Sequence, residues 1–540
     1  MKLGRRRIGR LVGLAVAVVA LVLITAAPAS AHASLEQSQP DSSAVLDASP
    51  TEIVLKFDEQ IEVSLGGITL LDQKGGHLTV GAPEHVGGDP SRISASVPAL
   101  GNGTYVVAWR VISADSHPVQ GAFSFVVVSG NQVDINALAQ QAFGSHDGRI
   151  PPLLGAARFA TFMGLAGLIG GLAFLAIVWP AGAGKWSARR VVWFAWLVFV
   201  LGTAAAFALE GPYAAGRSLG HAFDPSLWRA VARTRYGTWL IVRLVVAVAV
   251  AGLIVVLRFH RALAWRLGVA ASAVLLALSF GMAGHAGTGR VAGLGVVLDI
   301  VHLVAMSVWL GGLALLLVGL RDEEKPPLVA RFSALALGCV ALLIATGIAQ
   351  SLRMQLSLDT IFSFAWGRAY TTKLLVVMIL VAVAYASRRT VRYFWPDSAG
   401  LARTVGIEVG LGVAVLVAAA VLTGTAPIAQ AQAAKPFGTT LVQGNLLADV
   451  EVSPTKVGPV DVHVTFRYNT GSFLQVPSMD GRLTLEGGDL GAIPAKMVNA
   501  GPNHFIADNL QVPYPGKWKL ELLANVGAQT IRFAVDVKIT

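Results

Sequence analysis

Three regions with different hydrophobic periods follow one another along the chain. Residues 32–130 alternate apolar and polar positions over short runs. EIVLKFDEQIEV, GGITLLD, RISASVPAL, TYVVAWRVISA and GAFSFVVV are rich in Val, Ile and Phe, and Gly, Pro, Asn and Asp clusters separate them. That pattern predicts an all-β sandwich. From about 152 to 427 the alternation gives way to unbroken apolar runs. Eight of these are long enough to cross about 30 Å of hydrocarbon, near 157–179, 190–212, 237–257, 263–284, 295–319, 329–352, 370–387 and 404–426. Residues 436–540 alternate again through LLADVEVSP, VDVHVTFRYNT, GRLTLEGG, HFIADNLQV, GKWKLELLA and IRFAVDVKI, with turn signals at YPGKW and NVG. They predict a second all-β sandwich. Segments 131–151 and 428–435 read as linkers. The predicted fold class is a multidomain membrane protein with an all-β sandwich on each side of an eight-helix transmembrane bundle.

Residues 1–31 read as a secretory signal. MKLGRRRIGR is basic, LVGLAVAVVALVLIT is apolar, and Ala29 and Ala31 are small where signal peptidase reads. An uncleaved anchor is the alternative. Cleavage after Ala31 would make His32 the first residue, with a free α-amine. With the first sandwich exported, the inner loops are KWSARR, RFHRALAWR, RDEEKPPLVAR and RRTVRYFWPDSAGLAR. All are basic, as the positive-inside rule requires. An even number of spans returns the C-terminal sandwich to the outside, so both terminal domains are expected to be extracytoplasmic. FDPSLWRAVARTRYG runs against the rule, with Arg229, Arg233 and Arg235 on the outer side after Arg217. It reads as an interfacial or re-entrant helix.

Composition narrows the function. Hydrophobic residues make up 54% and charged residues 14%, against about 25% charged in globular proteins. The net charge of +11 falls mostly between apolar segments, where it sets topology, and no nucleic-acid module is visible. The single cysteine, Cys339, allows no intramolecular disulfide and no thiolate cluster. It reads as a small packing residue inside a span. No G-x-x-x-x-G-K-[ST] loop or D-K-T-G segment is present, so transport would run on a gradient, a handover or a partner.

The remaining ligand types are His, Asp, Glu, Met and a free amine. A terminal His32 could chelate one metal through its amine and ring, a nitrogen set that suits Cu(II). In VISADSHPVQG, Asp115 and His117 are two apart, so on an extended segment they leave one face. A turn Asp and a surface His is the plainer reading of that pair alone. HASLEQSQPDSSAVLDASPTEIVLKFDEQI with GTYVVAWRVISADSHPVQGAFSFVV resembles the CopC family of secreted copper-binding proteins. The resemblance implies Cu(II) bound by His32, Asp115 and His117. Ser116 stands where the family often has Gly. Residues 32–130 contain no Met, so a Met-rich Cu(I) site of the kind some members carry is not expected. His77 and His85 match no family motif and read as surface residues.

Inside the membrane, ionisable residues are functional candidates by default. Met282 and His285 are three apart at the end of the fourth run. Asp299, His302 and Met306 follow i, i+3, i+7 spacing on the fifth and share a helix face. Imidazole with thioether suits copper, the thioether favouring Cu(I). Packing between helices, with His302 hydrogen-bonded, is the plainer reading. Glu210, Arg243, Lys373 and Glu408 are expected to pair within the bundle. GHAGTG, VHLVAMSVWLGGL, RFSALAL with the following Thr346-Gly347, and RAYTTKLLVV resemble the CopD family of copper-transport membrane proteins. CopC and CopD domains occur fused in YcnJ-type copper-uptake proteins, and this chain is similar to such a fusion. The C-terminal sandwich resembles a small YtkA-like domain, a match that brings no sites. Its potential ligands His504, Met479 and Met497 suggest no metal constellation.

The resemblance implies copper capture outside and transfer across the membrane, with His285, His302, Met282 and Met306 as a copper path. Copper would be the bound ion, Cu(II) in the first domain and Cu(I) in the membrane, and a copper reductase or chaperone would be the partner. The alternatives are copper buffering without import, and a membrane redox protein in which His285 and His302 hold haem or copper. Non-enzymatic transport is the preferred reading.

Overall fold

The computed structural model describes the chain except residues 1–32, 34, 42–43, 115–116, 129–137, 139–140, 144–146, 288–291, 322–324, 354–364, 395–397, 425–436, 454, 456, 469–475, 488–489, 502, 528 and 540. The expected signal, His32 and Asp115 lie outside the described residues, as does the His285 side chain. Compactness divides the chain into Asp147–Ala426 and a second unit made of His32–His146 with Pro427–Thr540.

The N-terminal region forms β1 (Leu35–Gln39), β2 (Val45–Leu46), β3 (Glu52–Phe57), β4 (Ile61–Asp72) and β5 (His77–Leu78). After these come β6 (Glu84–His85), β7 (Arg92–Ser96), β8 (Gly103–Ser113) and β9 (Pro118–Val127). One sheet runs β1-β3-β7-β6 and the other β2-β9-β8-β4-β5. The segment read as one strand over 52–63 is two. Residues 58–60 carry the chain from one sheet to the other, and buried Phe57 and Ile61 flank the crossing. Trp109 meets Phe57 edge-on, with ring centres 5.2 Å apart. Its cross-strand neighbour is Gly121, where a Cβ would come within 2.5 Å of the indole. Only glycine leaves room for that ring.

Eight described helices are long and apolar enough to cross a membrane. Spans 1 to 4 are Ile150–Ile177, Trp186–Ala215, Arg235–Val255 and Leu263–Ala283; spans 5 to 8 are Ala292–Gly319, Lys325–Arg353, Ala365–Phe394 and Ser398–Leu422. Spans 1 and 5 form the centre, with 61% and 56% of their apolar windows buried, whereas span 7 has 6%. Small residues bring spans 1 and 5 into backbone contact. A Cβ on Gly170 would lie 1.9 Å from the Ser307 carbonyl oxygen, and one on Gly311 would lie 2.0 Å from that of Ala166. Close approach of this kind drives helix association in lipid, where hydrophobic burial gives little. Cys339 is buried in the apolar core, as a packing residue should be. The stretch read as interfacial contains a short helix, Pro225–Arg233, capped by Asp224, with exposed Phe223 before it and exposed Trp228 within it.

The C-terminal region forms β10 (Phe437–Gln443), β11 (Leu446–Ser453), β12 (Gly458–Tyr468), β13 (Ser478–Leu485) and β14 (Ile493–Ala495). It continues with β15 (Val498–Gly501), β16 (His504–Val512), β17 (Gly516–Val526) and β18 (Gln529–Ile539). The sheets run β10-β11-β12-β16-β15 and β14-β13-β17-β18. Val462, Val464, Phe466 and Phe505 point into the core with Trp518, Leu520 and Leu522. The predicted fold class is thus observed.

Candidate metal centres

In the first sandwich the candidate ligands lie at one end. Every residue of β8 is buried, and the strand stops at Ser113. The chain turns and re-enters at β9. Ser113 closes the hairpin twice: its N–H and its hydroxyl both donate to the His117 carbonyl, at 2.9 and 3.0 Å. The Ala114 N–H donates to Glu59 Oε1 at 3.2 Å, tying the hairpin to the crossing between sheets. His117 is 7% exposed. Register brings the chain start to the same end: Leu35 pairs with Phe57, and Ile61 pairs with Ser113. Ala33 is buried in the same core cluster as Phe57 and Ile61. Of the three expected ligands only His117 is described. His77 and His85 are exposed, as expected.

In the bundle, span 5 turns its predicted face toward span 6. Asp299 accepts from Gln350 Nε2 at 2.5 Å. His302 Nδ1 lies 2.8 Å from Thr346 Oγ1. Met306 packs in a cluster that takes in Leu343 and Met163. Asp299 and His302 thus meet residues 350 and 346 of span 6 in antiparallel order. The Thr346 hydroxyl proton is already used, because it donates to the Leu342 carbonyl at 2.7 Å. Its oxygen therefore accepts from His302 Nδ1–H, which fixes the tautomer and leaves Nε2 with a lone pair. Metal-ligating histidines are oriented in this way by the hydrogen bond of their other nitrogen. Span 5 starts at Ala292, so His302 lies ten residues in, roughly 15 Å along the helix.

Lys373 on span 7 acts electrostatically on both Asp299 and His302. Arg353 also faces Asp299 and crosses over Gly295. Gly281 meets span 5, with Asp299 and Val296 as its neighbours. None of the described contacts joins Met282 to His302 or Met306. Among the described residues, no three His, Cys, Asp or Glu side chains gather closely enough to hold a metal ion. The bundle site is therefore one oriented imidazole beside a thioether cluster and a polar strip.

The other ionisable groups have local partners. Glu210 and Tyr236 face Arg158. Arg243 is not ion-paired to a carboxylate as expected. It donates to the Ser279 hydroxyl and carbonyl at 3.0 and 3.1 Å and lies 3.6 Å over the Phe280 ring. Glu408 bonds Ser387. Sequence reasoning missed Thr346 as a positioning group, Gln350 as the Asp299 partner, and Met163. Polar Thr346 and Gln350, four apart in an otherwise apolar run, were the available signal.

Residues 35–128 match the CopC domain family. Residues 149–294 match the copper resistance protein D-like N-terminal domain, and residues 326–422 match copper resistance protein D. The chain is 25% identical over 449 residues to Copper transport protein CutJ of Bacillus subtilis (strain 168), covering 79% of this chain and 80% of that protein. It is 35% identical over 114 residues to Copper resistance protein C of Escherichia coli, covering 20% of this chain and 90% of that protein. The solved structure of CopC from Methylosinus trichosporium OB3b is 30% identical and covers 18% of this chain and 93% of that one, with a TM-score of 0.17. The chain thus joins a CopC domain to copper resistance protein D domains in one multi-pass membrane protein of the copper transport and resistance family.

Proposed function

We propose that the chain captures Cu(II) outside the membrane at His32, Asp115 and His117, and passes copper inward along span 5. The observation that carries the transfer step is the His302–Thr346 bond. It holds a neutral imidazole with its Nε2 lone pair inside an apolar bundle, ready to accept a cation. Met306 and Met163 supply thioethers in the cluster next along span 5, a donor type that favours Cu(I). His285 and Met282 would form the outer end of the path. A reductase would supply the electron that takes Cu(II) to Cu(I) before the bundle, and a chaperone would only hand the ion over.

Cells lacking the protein should accumulate less copper, and His32→Ala and His302→Gln variants should not restore it. Thr346→Val removes only the acceptor of Nδ1–H, and should lower transfer about 10- to 100-fold, the usual effect of losing an orienting partner. Thr346→Ser should retain it. Equal transfer by the Val variant sinks the role assigned to His302.

Buffering without import is favoured by one observation. The first domain's relatives include proteins called copper resistance protein C. Under that reading deletion raises copper sensitivity and leaves cytoplasmic copper unchanged. Cytoplasmic metal quotas separate the two.

A further inference from the structure

The C-terminal sandwich holds a histidine pair that sequence spacing does not reveal. His463 on β12 and His504 on β16 are 41 positions apart in sequence. Register places His463 opposite Ile506 and Thr465 opposite His504, so the two histidines are diagonal neighbours on one sheet face. That face is the one turned away from Val462, Val464 and Phe466, which fill the core. His463 Nδ1 and His504 Nε2 are 3.3 Å apart. The ring planes differ by 20° and the centroids are 5.5 Å apart. That separation places the facing nitrogens near the line joining the ring centres, so the imidazoles meet edge to edge.

His504 is 0% exposed, while His463 is half-buried. His504 Nδ1 is buried with no hydrogen-bond partner. Such orphans are rare and call for a reason. The 3.3 Å contact is also longer than the 2.9–3.0 Å typical of an N–H···O bond. Glu451 on β11 stands directly across from His463 and brings a carboxylate to the rim.

We propose that this pair is a Cu(I) site. Two imidazole nitrogens facing one another suit a closed-shell cation that accepts two ligands in line. Zn(II) wants four ligands in a tetrahedron, which the described residues here do not offer. A metal–imidazole bond is about 2 Å long, so in-line insertion needs the nitrogens about 4 Å apart. A side-chain rotation of half-buried His463 supplies the difference. The proton balance is internal. Cu(I) takes the place of the proton on His504 Nε2, that proton moves to Nδ1, and neither ring becomes charged. The cation's charge is offset by Glu451 at the rim.

The inference takes only the metal from the proposed function, and it stands if the chain imports nothing. The test uses the full chain in detergent, without oxygen, with Cu(I) supplied from a chromophoric Cu(I) chelator. His463→Gln should bind one Cu(I) fewer per chain than the wild type. Glu451→Gln should keep the stoichiometry and bind that ion about tenfold more weakly. Hydrogen exchange in β12 and β16 of the wild-type chain should slow once the site fills, a readout that needs no variant. Unchanged stoichiometry in a folded His463→Gln chain overturns the proposal, as does unchanged exchange at saturating Cu(I). Preferential retention of Zn(II) at the pair overturns the choice of metal.

Discussion

The N-terminal sandwich keeps His117 at the end of a hairpin, one residue before β9, while the C-terminal sandwich keeps His463 within β12 and His504 at the first residue of β16, on one sheet face. A side chain at a hairpin end is positioned by loops, so its geometry depends on a turn. Ligands on adjacent strands are spaced by the ladder itself, and two residues already face each other before any ion arrives. Under the proposed assignments, the first arrangement would adapt to a cation that wants several donors in a plane, and the second would select for one content with two.

The comparison can be broken at the cores first. Trp518 is fully buried among the C-terminal strands, and Trp109 anchors the N-terminal ones. Either Trp→Ala change should destabilise its own sandwich by about 3–5 kcal/mol. Hydrogen exchange resolved by strand measures this, and equal protection in the variant would mean the indole is not structural. Next is the hairpin site. His117→Ala should weaken Cu(II) binding by more than about 100-fold, or about 2.7 kcal/mol, in a competition titration. Cu(II) affinity within a factor of two of wild type removes His117 from the site.

A third break uses acid. Burial, reinforced by His463, pushes His504 down to about 3 from the usual 6.5. The unfolded chain therefore binds the proton first. Stability of β12 and β16 is full above about pH 6.5 and falls as pH drops toward 3. Linkage puts the loss between pH 7 and pH 5 at about 2 kcal/mol. Exchange rates there that ignore pH would contradict the burial of His504. The smallest effect is at the surface. Lys517 bonds Glu486 and Asp536 at 3.0 Å each but is more than half exposed. Lys517→Ala should leave the unfolding midpoint essentially unchanged, because exposed ion pairs are screened by solvent, and a clear fall would show a structural role for these contacts.

The sequence made some of this legible and hid the rest for physical reasons. The eight spans are visible because each must be apolar over its own length, a local property. The shared face of Asp299, His302 and Met306 is visible because helical spacing is local too; the structure turns Asp299 and His302 toward span 6 and packs Met306 in a cluster with residues of spans 1, 6 and 8. His117 is legible through SADSHPV, a contiguous motif. His463 and His504 are not, because strand register alone makes them neighbours, and no local pattern encodes which residue of β12 faces which of β16. Thr346 escaped attention because a span threonine usually bonds its own backbone. It does so here and orients His302 as well.

The backbone contact between spans 1 and 5 has a mechanical consequence. Carbonyl oxygens sit where side chains would begin at Gly170 and Gly311, so neither helix can slide past the other without a collision. The pair is a stator, and His302 is bolted to it. The surroundings of that imidazole can therefore change only through the helices facing it, and span 7, which carries Lys373, is the least buried of the eight described spans.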